Sequence, residues 1–501
     1  MTEGRGFHVA IVGAGFSGLA VAASLGEAGV DDFTVLERGA DVGGTWRDNS
    51  YPGCACDVPS HLYSFAFAPN PEWSSTFSPQ EEIQAYLRRV AAERGLLQKV
   101  RLNTEVERCT WDAERQRWEI ETSTGRVSAR VLVSAAGPLS EPSIPRIRGI
   151  ERFRGTVFHS AQWDHAHDLS GERVAVIGTG ASAIQFVPQI QPSVAQLQVY
   201  QRTPPWIMPR RARSLTRFER VVYRRSPAAQ RRMRDAIYWA RETYAIPLIR
   251  VGLSPLTRRI MTTHLQRHVK DPQLLAKLTP AYAPGCKRIL ISNDYLPALA
   301  KPNVDVITTG IEEIRERSIV TSDGLERDVD TIIFGTGFHV TDVPVASRVF
   351  DANGRSLRDA WSAGMRAYRG TAVAGFPNLF LILGPNTGLG HTSVVLMAEW
   401  QARYVTQAIR HMQANGIAEL VVQPRAQEEW NASVQRKMRG TVWLEGGCAS
   451  WYLDEHGCNT TLWPDFTFRF RNALRTFDPR NYTSRPPRAA VATPPQVRAA
   501  A

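Results

Sequence analysis

Gly13-Ala14-Gly15-Phe16-Ser17-Gly18 follows a short apolar run, Phe7–Val12, and Gly178-Thr179-Gly180-Ala181-Ser182-Ala183 follows a second, Arg173–Ile177. Each reads as a strand, a glycine turn and the start of a helix, the first helix running from about Ser17 to Gly26. In such a unit the first glycine permits the tight turn and the second lets the backbone approach a pyrophosphate. The third small residue brings helix and strand together, and the helix N-terminus faces the phosphates. A lone G-x-G-x-x-G is a weak signal. Two copies, each followed by another apolar run (Phe33-Thr34-Val35-Leu36 and Leu197–Tyr200), predict an α/β chain with two Rossmann-like dinucleotide-binding domains.

One position separates the two units. Glu37 lies 24 residues after Gly13, and Arg202 lies 24 residues after Gly178. A carboxylate at the end of the second strand accepts hydrogen bonds from a ribose 2′-OH and repels a 2′-phosphate. A guanidinium there binds that phosphate through a forked, charge-assisted contact. Thr203 adds a hydroxyl. The N-terminal unit is therefore expected to hold FAD, and the second NADPH rather than NADH.

At 501 residues the chain is too long for one compact core. Its 43% hydrophobic and 22% charged residues are those of an ordinary globular protein. No apolar run is long enough to span a bilayer, and the glycine-broken opening has no cleavage site behind it, so neither a transmembrane segment nor a signal peptide is expected. Six cysteines in so long a chain do not make a disulfide framework, and without paired C-x-x-C spacing no metal site is expected. The expected location is cytoplasmic. The net charge of +12 sits in one segment: between Pro209 and Lys270, fifteen Arg and one Lys stand against Glu219, Asp235 and Glu242. Tyr223, Met233, Ile237, Trp239 and Tyr244 recur there at helical spacing. We read the segment as helices with a solvated basic face that also attracts the polyanionic NADPH, not as a nucleic-acid interface.

Val100–Asp112 and Trp118–Ala129 alternate like strands. Val131-Leu132-Val133-Ser134-Ala135-Ala136-Gly137 and its near-copy Thr331-Ile332-Ile333-Phe334-Gly335-Thr336-Gly337 mark where the chain crosses between domains. The expected division is an FAD domain in two parts, 1–145 and 336–483, around an NADPH domain, 146–335, that carries a helical insertion at about 209–280. A long amphipathic helix is expected near Ser393–Gln413. The Pro-, Ala- and Arg-rich stretch 484–501 is expected to be a disordered tail.

Between the units lies Phe153-Arg-Gly-Thr-Val-Phe-His-Ser-Ala-Gln-Trp-Asp164, which fits F-x-G-x-x-x-H-x-x-x-W-D. Gly43-Gly44-Thr45-Trp46, Tyr51-Pro52-Gly53 and Asp57 fit G-G-x-W-x-x-x-x-Y-P-G-x-x-x-D at every fixed position. On these motifs the chain resembles the type I Baeyer–Villiger monooxygenases, a branch of the class B flavin monooxygenases, from Phe7 to about Tyr482. The resemblance implies that a ketone and O₂ yield an ester or lactone through a C4a-peroxyflavin. It implies that Gly44, Thr45, Trp46, Asp57, Tyr63 and Val106 contact FAD, with Asp57 beside the isoalloxazine and nicotinamide rings. In Gly285-Cys286-Lys287-Arg288, it implies that Lys287 helps hold the 2′-phosphate and that Arg288 is catalytic, stabilising the peroxide and then the oxyanion. His159 and Trp163 are expected to couple the domains. Ser450-Trp451 resembles a Ser-Trp that contacts the nicotinamide ribose, though the continuation Tyr452-Leu453-Asp454-Glu455-His456-Gly457 departs from the Gly-Ala-Asn loop of cyclohexanone-type relatives.

Two other flavoenzyme classes share the double nucleotide unit. N- and S-oxygenating flavin monooxygenases usually carry Tyr or Phe in place of Trp163. Disulfide reductases need a redox-active cysteine pair by the flavin; Cys54 and Cys56 lie in that region, but a one-residue spacing strains an intramolecular bond. The substrate ketone and the oligomeric state are not written in the motifs.

Overall fold

The computed structural model describes residues 6–249, 255–341 and 343–488. Two sheets organise it, the first mixed and the second parallel. The first contains, in order, Val349–Phe350, Val106–Asp112, Arg117–Thr122, Gly125–Ser134, Gly6–Val12, Phe33–Leu36 and Val100–Arg101, with Leu379–Leu381 also pairing to Gly125–Ser134. The second is parallel throughout: Val304–Ile307, Gln196–Tyr200, Arg173–Ile177, Thr331–Phe334 and Thr156–His159. Their central strands, Val-Ala-Ile-Val and Val-Ala-Val-Ile, are apolar without alternation because helices and loops cover both faces.

The two units repeat each other bond for bond. Gly13 N–H donates to Leu36 O and Gly178 N–H to Tyr200 O, while Ala135 N–H reaches Val12 O and Gly335 N–H reaches Ile177 O. Gly13 (φ +98°) and Gly178 (φ +110°) need the left-handed region. A Cβ on either would also collide with the carbonyl of Ala135 or Gly335, at 2.8 and 2.4 Å. Where the chain crosses between sheets, its two passages bind one another: Ser143 N–H donates to Gly337 O (2.8 Å), and His339 N–H to Glu141 O (3.1 Å).

The helix Phe16–Glu27 packs on the long helix Val394–Ala414, whose Met397, Val405 and Ile409 are fully buried. Each such side chain contributes about 1.5–3 kcal/mol relative to exposure. Trp118–Ala129 is not one strand but a hairpin that reverses at Thr122–Gly125, where Gly125 takes φ +123°. Val100–Asp112 is likewise interrupted, at Asn103 (φ +50°). Ser484 and Arg485 belong to a strand paired with Glu419–Val422, and Arg488 N–H donates to Gln116, so the expected tail is ordered this far. The rest of it, 489–501, lies outside the described residues.

The insertion departs most from expectation. Among the described residues, five helices between Arg217 and Leu278 are entered and left through the paired strands Ile207–Met208 and Leu290–Ile291. The helix Pro227–Glu242 turns a polar stripe inward: Gln230, Arg234, Tyr238 and Glu242, four residues apart, are all buried. Arg234 donates to the carbonyls of His61 and Ser64 (2.7 and 2.9 Å) and lies 3.6 Å from the buried Glu399. Of the apolar residues at helical spacing, Tyr223 is buried, but Met233, Trp239 and Tyr244 are 39%, 55% and 53% exposed. The basic charge is divided between a wet face and a dry one, because a side chain that finds carbonyl and carboxylate partners can leave water.

Candidate active site

Gly15 and Gly44 face each other across the first glycine turn; a Cβ on Gly44 would lie 3.2 Å from Gly15 Cα. Beyond the turn, Phe16, Tyr63 and Trp46 form a ring cluster, with Trp46 donating to Tyr63 Oη at 3.1 Å. Glu37 is buried and accepts from Ala14 N–H, Gly39 N–H and Arg47. Thr104 N–H donates to the Glu37 carbonyl, two residues before Val106 opens its strand. On the far side, His391 is buried with neither ring nitrogen in a hydrogen bond, and the Thr392 hydroxyl is equally unsatisfied. Both stand just before the helix Val394–Ala414, and His391 Nε2 lies 3.4 Å from Glu242 Oε1. These residues fit a flavin dinucleotide.

The second unit keeps its phosphate approach open: a Cβ on Gly180 would meet nothing nearer than 3.8 Å. Ala181 and Ser182 lead into Ala183–Ile190, and Thr179 Oγ1 donates to Thr203 O at 3.5 Å. Arg202 is exposed just past the second strand. Lys287 lies over the Tyr282 ring at 5.4 Å, and Tyr282 Oη donates to Pro204 O, which brings Lys287 beside the Arg202 segment. Burial and then the Arg202 charge hold the Lys287 ammonium below its ordinary pKa. Two cations left facing each other without an anion fit a 2′-phosphate.

Between the two units lies the pair that motif reading placed 231 residues apart. Arg288 donates Nε–H and Nη2–H to Asp57 Oδ2 at 2.9 and 2.5 Å, and Nη1–H to Leu389 O at 3.4 Å. Burial opposes the Asp57 charge, yet the guanidinium holds the carboxyl below its usual range, and the carboxylate raises the Arg288 pKa in return. Arg210 adds a hydrogen bond to Cys56 O (3.3 Å).

The fingerprint residues sit behind this pair. His159 is buried; its Nδ1 accepts from Ala161 N–H, its Nε2 has no partner and its ring meets Phe338 edge-on. Burial lowers its pKa. Trp163 packs between Phe158 and Phe186, and Phe186 meets Tyr51 of the G-G-x-W motif. Beside it, Gln185 accepts from Tyr51 Oη (3.0 Å) and donates to Ala55 O (2.9 Å), two residues before Asp57. A Cβ on Gly53 would lie 2.9 Å from Gln185 O, so glycine permits the contact between domains.

Sequence reading missed three groups. Trp451 is 48% exposed, whereas its neighbour Tyr452 is 1% exposed, its ring tilted against that of Trp451 with centroids 4.3 Å apart. Burial pushes the Tyr452 phenol up to about 12, with Arg288 and Asp57 the charges acting on it. Cys286, next to Lys287, forms a disulfide with Cys448, a pairing across 162 residues that no local spacing announced. Arg241 of the insertion also feels the Asp57 charge. Cys54 and Cys56 are free and buried, and burial pushes Cys54 up to about 12, which removes the thiolate a disulfide reductase needs. Among the described residues there is no metal-ligand cluster and no helix long and apolar enough to cross a membrane.

Comparison with known proteins agrees with this geometry. The chain is 52% identical over 477 residues to a Baeyer-Villiger monooxygenase of Streptomyces coelicolor, covering 95% of this chain and 92% of that one. It is 49% identical to a Baeyer-Villiger monooxygenase of Pseudomonas aeruginosa, covering 95% and 91%. An oxidized steroid monooxygenase solved with NADP superposes with a TM-score of 0.84 at 30% identity, over 96% of this chain and 100% of that one. With residues 6–348 matching its family description, the chain belongs to the flavin-binding monooxygenase-like family.

Proposed function

We infer that the chain is an FAD- and NADPH-dependent Baeyer–Villiger monooxygenase, converting a ketone, O₂, NADPH and a proton into an ester or lactone, NADP⁺ and water. The observation that carries this reading is the Arg288–Asp57 pair between the two nucleotide units. Bound FAD, reduced by NADPH, activates O₂ and supplies the inserted oxygen atom.

The residues divide the remaining work. Gly13, Gly15, Ser17 and Gly18 admit the FAD diphosphate, Glu37 takes its ribose, and Phe16, Gly44, Thr45, Trp46, Tyr63 and Val106 line the flavin side. Gly178–Ala183 admit the NADPH diphosphate, Arg202, Thr203 and Lys287 hold the 2′-phosphate, and Trp451 is open to the nicotinamide ribose. Arg288 stabilises the negative charge that builds on the ketone oxygen as its carbon is attacked, and Asp57 fixes the guanidinium for that task. His159 and Trp163 tie the domains so that the nicotinamide and flavin sides move together. In this reading residues 1–145 and 336–483 form the FAD domain and 146–335 the NADPH domain, in a cytoplasmic enzyme supplied with NADPH there.

The test is turnover of a ketone panel under ¹⁸O₂ with NADPH. Mass spectrometry should find an ester or lactone carrying one ¹⁸O atom. NADPH consumption without oxygenated product from any ketone would overturn the reading.

A further inference from the structure

The reaction needs one fixed cation at the carbonyl, and Arg288 is that cation. The insertion brings a second. Its helix Pro227–Glu242 ends against the loop that contacts Arg288: Glu242 accepts from Thr467 N–H at 3.0 Å and lies 3.4 Å from His391 Nε2. Two residues before His391 is Leu389, whose carbonyl accepts from Arg288. The following helix, Ala245–Ile249, lays Leu248 over the same place; Cβ atoms on Gly285 and Gly390 would lie 2.3 and 3.1 Å from its methyls. Trp443 borders the same position, at 3.5 Å from a Cβ on Gly390.

Arg241 stands in this final turn but takes no part in its polar seam. Its Nε is shut off from solvent and bonds to nothing. Among the described residues its side chain makes no hydrogen bond or ion pair, and it lies over the Tyr244 ring at 5.3 Å. Asp57 is the opposite charge that acts on it most, and Asp57 is already committed to Arg288. Arg241 as a whole is only half-buried, but a donor cut off from water without a partner is unfavourable, and an anion that reached Nε would satisfy it. The cofactors do not call for it, since the NADPH phosphate has Arg202 and Lys287 and the diphosphates have two helix N-termini. An uncharged ketone would leave it unpaired.

We propose that Arg241 anchors a carboxylate, and that the enzyme's preferred substrates are keto acids whose carbonyl lies at Arg288. A planar guanidinium suits that group because it can grip both carboxylate oxygens. The proposal rests on the Baeyer–Villiger reading for the role of Arg288.

The experiment compares linear keto acids of increasing length with their methyl esters, in wild type and in Arg241→Gln and Arg241→Lys. Wild type should favour the acid at one chain length. In Arg241→Gln the acid-to-ester ratio of kcat/KM should fall about 10–100-fold, carried by the KM of the acid, as expected for losing a charged hydrogen bond. Arg241→Lys should retain part of the ratio. FAD content and the KM for NADPH report whether each variant is intact. An unchanged ratio in Arg241→Gln, or a wild type that favours the methyl esters, overturns the proposal. If wild type oxygenates neither compound, the reaction assignment has failed, and calorimetric titration of the FAD-loaded protein with the keto acid still decides the site. Binding that Arg241→Gln abolishes supports it, and equal or absent binding in both proteins overturns it.

Discussion

Arg288 gives two hydrogen bonds to a single oxygen of Asp57, Oδ2, leaving Oδ1 outside the pair and Nη1 turned toward the Leu389 carbonyl. The guanidinium is held from one side and aimed from the other. Arg288→Ala should bind FAD but lose ester formation by on the order of 10²–10³-fold or more. Arg288→Lys should recover only part, since the charge remains while the fork is gone. Asp57→Ala should be milder than Arg288→Ala because the cation stays. Initial rates with an accepted ketone check the order, and ester formed at the wild-type rate by Arg288→Ala would remove the mechanism's centre.

In the proposed reading Arg202 and Lys287 set the choice of NADPH. Arg202→Ala should raise the KM for NADPH about 10–100-fold, the size of a lost charged hydrogen bond, while leaving that for NADH nearly unchanged. Equal use of both cofactors by wild type would contradict the assignment.

The same pair predicts a pH effect. Burial and Arg202 lower the Lys287 pKa in the free protein, and a bound phosphate favours its charged form. The KM for NADPH should therefore be lowest below the Lys287 pKa and rise as pH climbs through it. Arg202→Ala removes one cause of the lowering, so the rise should move to higher pH although KM is larger overall. A pH profile that keeps its position in the variant would disconnect the two residues.

Gln185 joins the domains through Tyr51 and Ala55, beside the Trp163–Phe186 contact. Gln185→Leu, Trp163→Ala and His159→Ala should each keep FAD yet lose coupling severalfold, seen as hydrogen peroxide released per NADPH consumed. Full coupling in all three would reduce the fingerprint to a structural linker.

The Cys286–Cys448 bond and the burial of three of the four remaining thiols give a direct chemical test. Denatured but unreduced protein should be alkylated at Cys54, Cys56, Cys109 and Cys458, and at all six cysteines after reduction. In the folded protein Cys458, the exposed one, should react first. Six reactive thiols without reduction would mean the bond is absent.

The sequence by itself determined the two nucleotide units and their cofactors' difference. Glycine conformation, the run of apolar residues in a buried strand and the acid or guanidinium at its end all act within about thirty residues, so spacing along the chain expresses them. Strand boundaries were less legible: the hairpin reversing at Gly125 and the break at Asn103 carry the same alternating residues as a continuous strand. Only tertiary structure decided which polar groups are buried together. Gln230, Arg234, Tyr238 and Glu242 look like a wet face until the FAD-side carbonyls, Glu399 and Thr467 supply their partners. Trp451 and Tyr452 are adjacent in sequence, and only packing turns one outward and buries the other. Asp57 with Arg288, Cys286 with Cys448, and Arg241 with no partner depend on residues far apart in the chain, whose meeting is set by how the domains and the insertion close on one another.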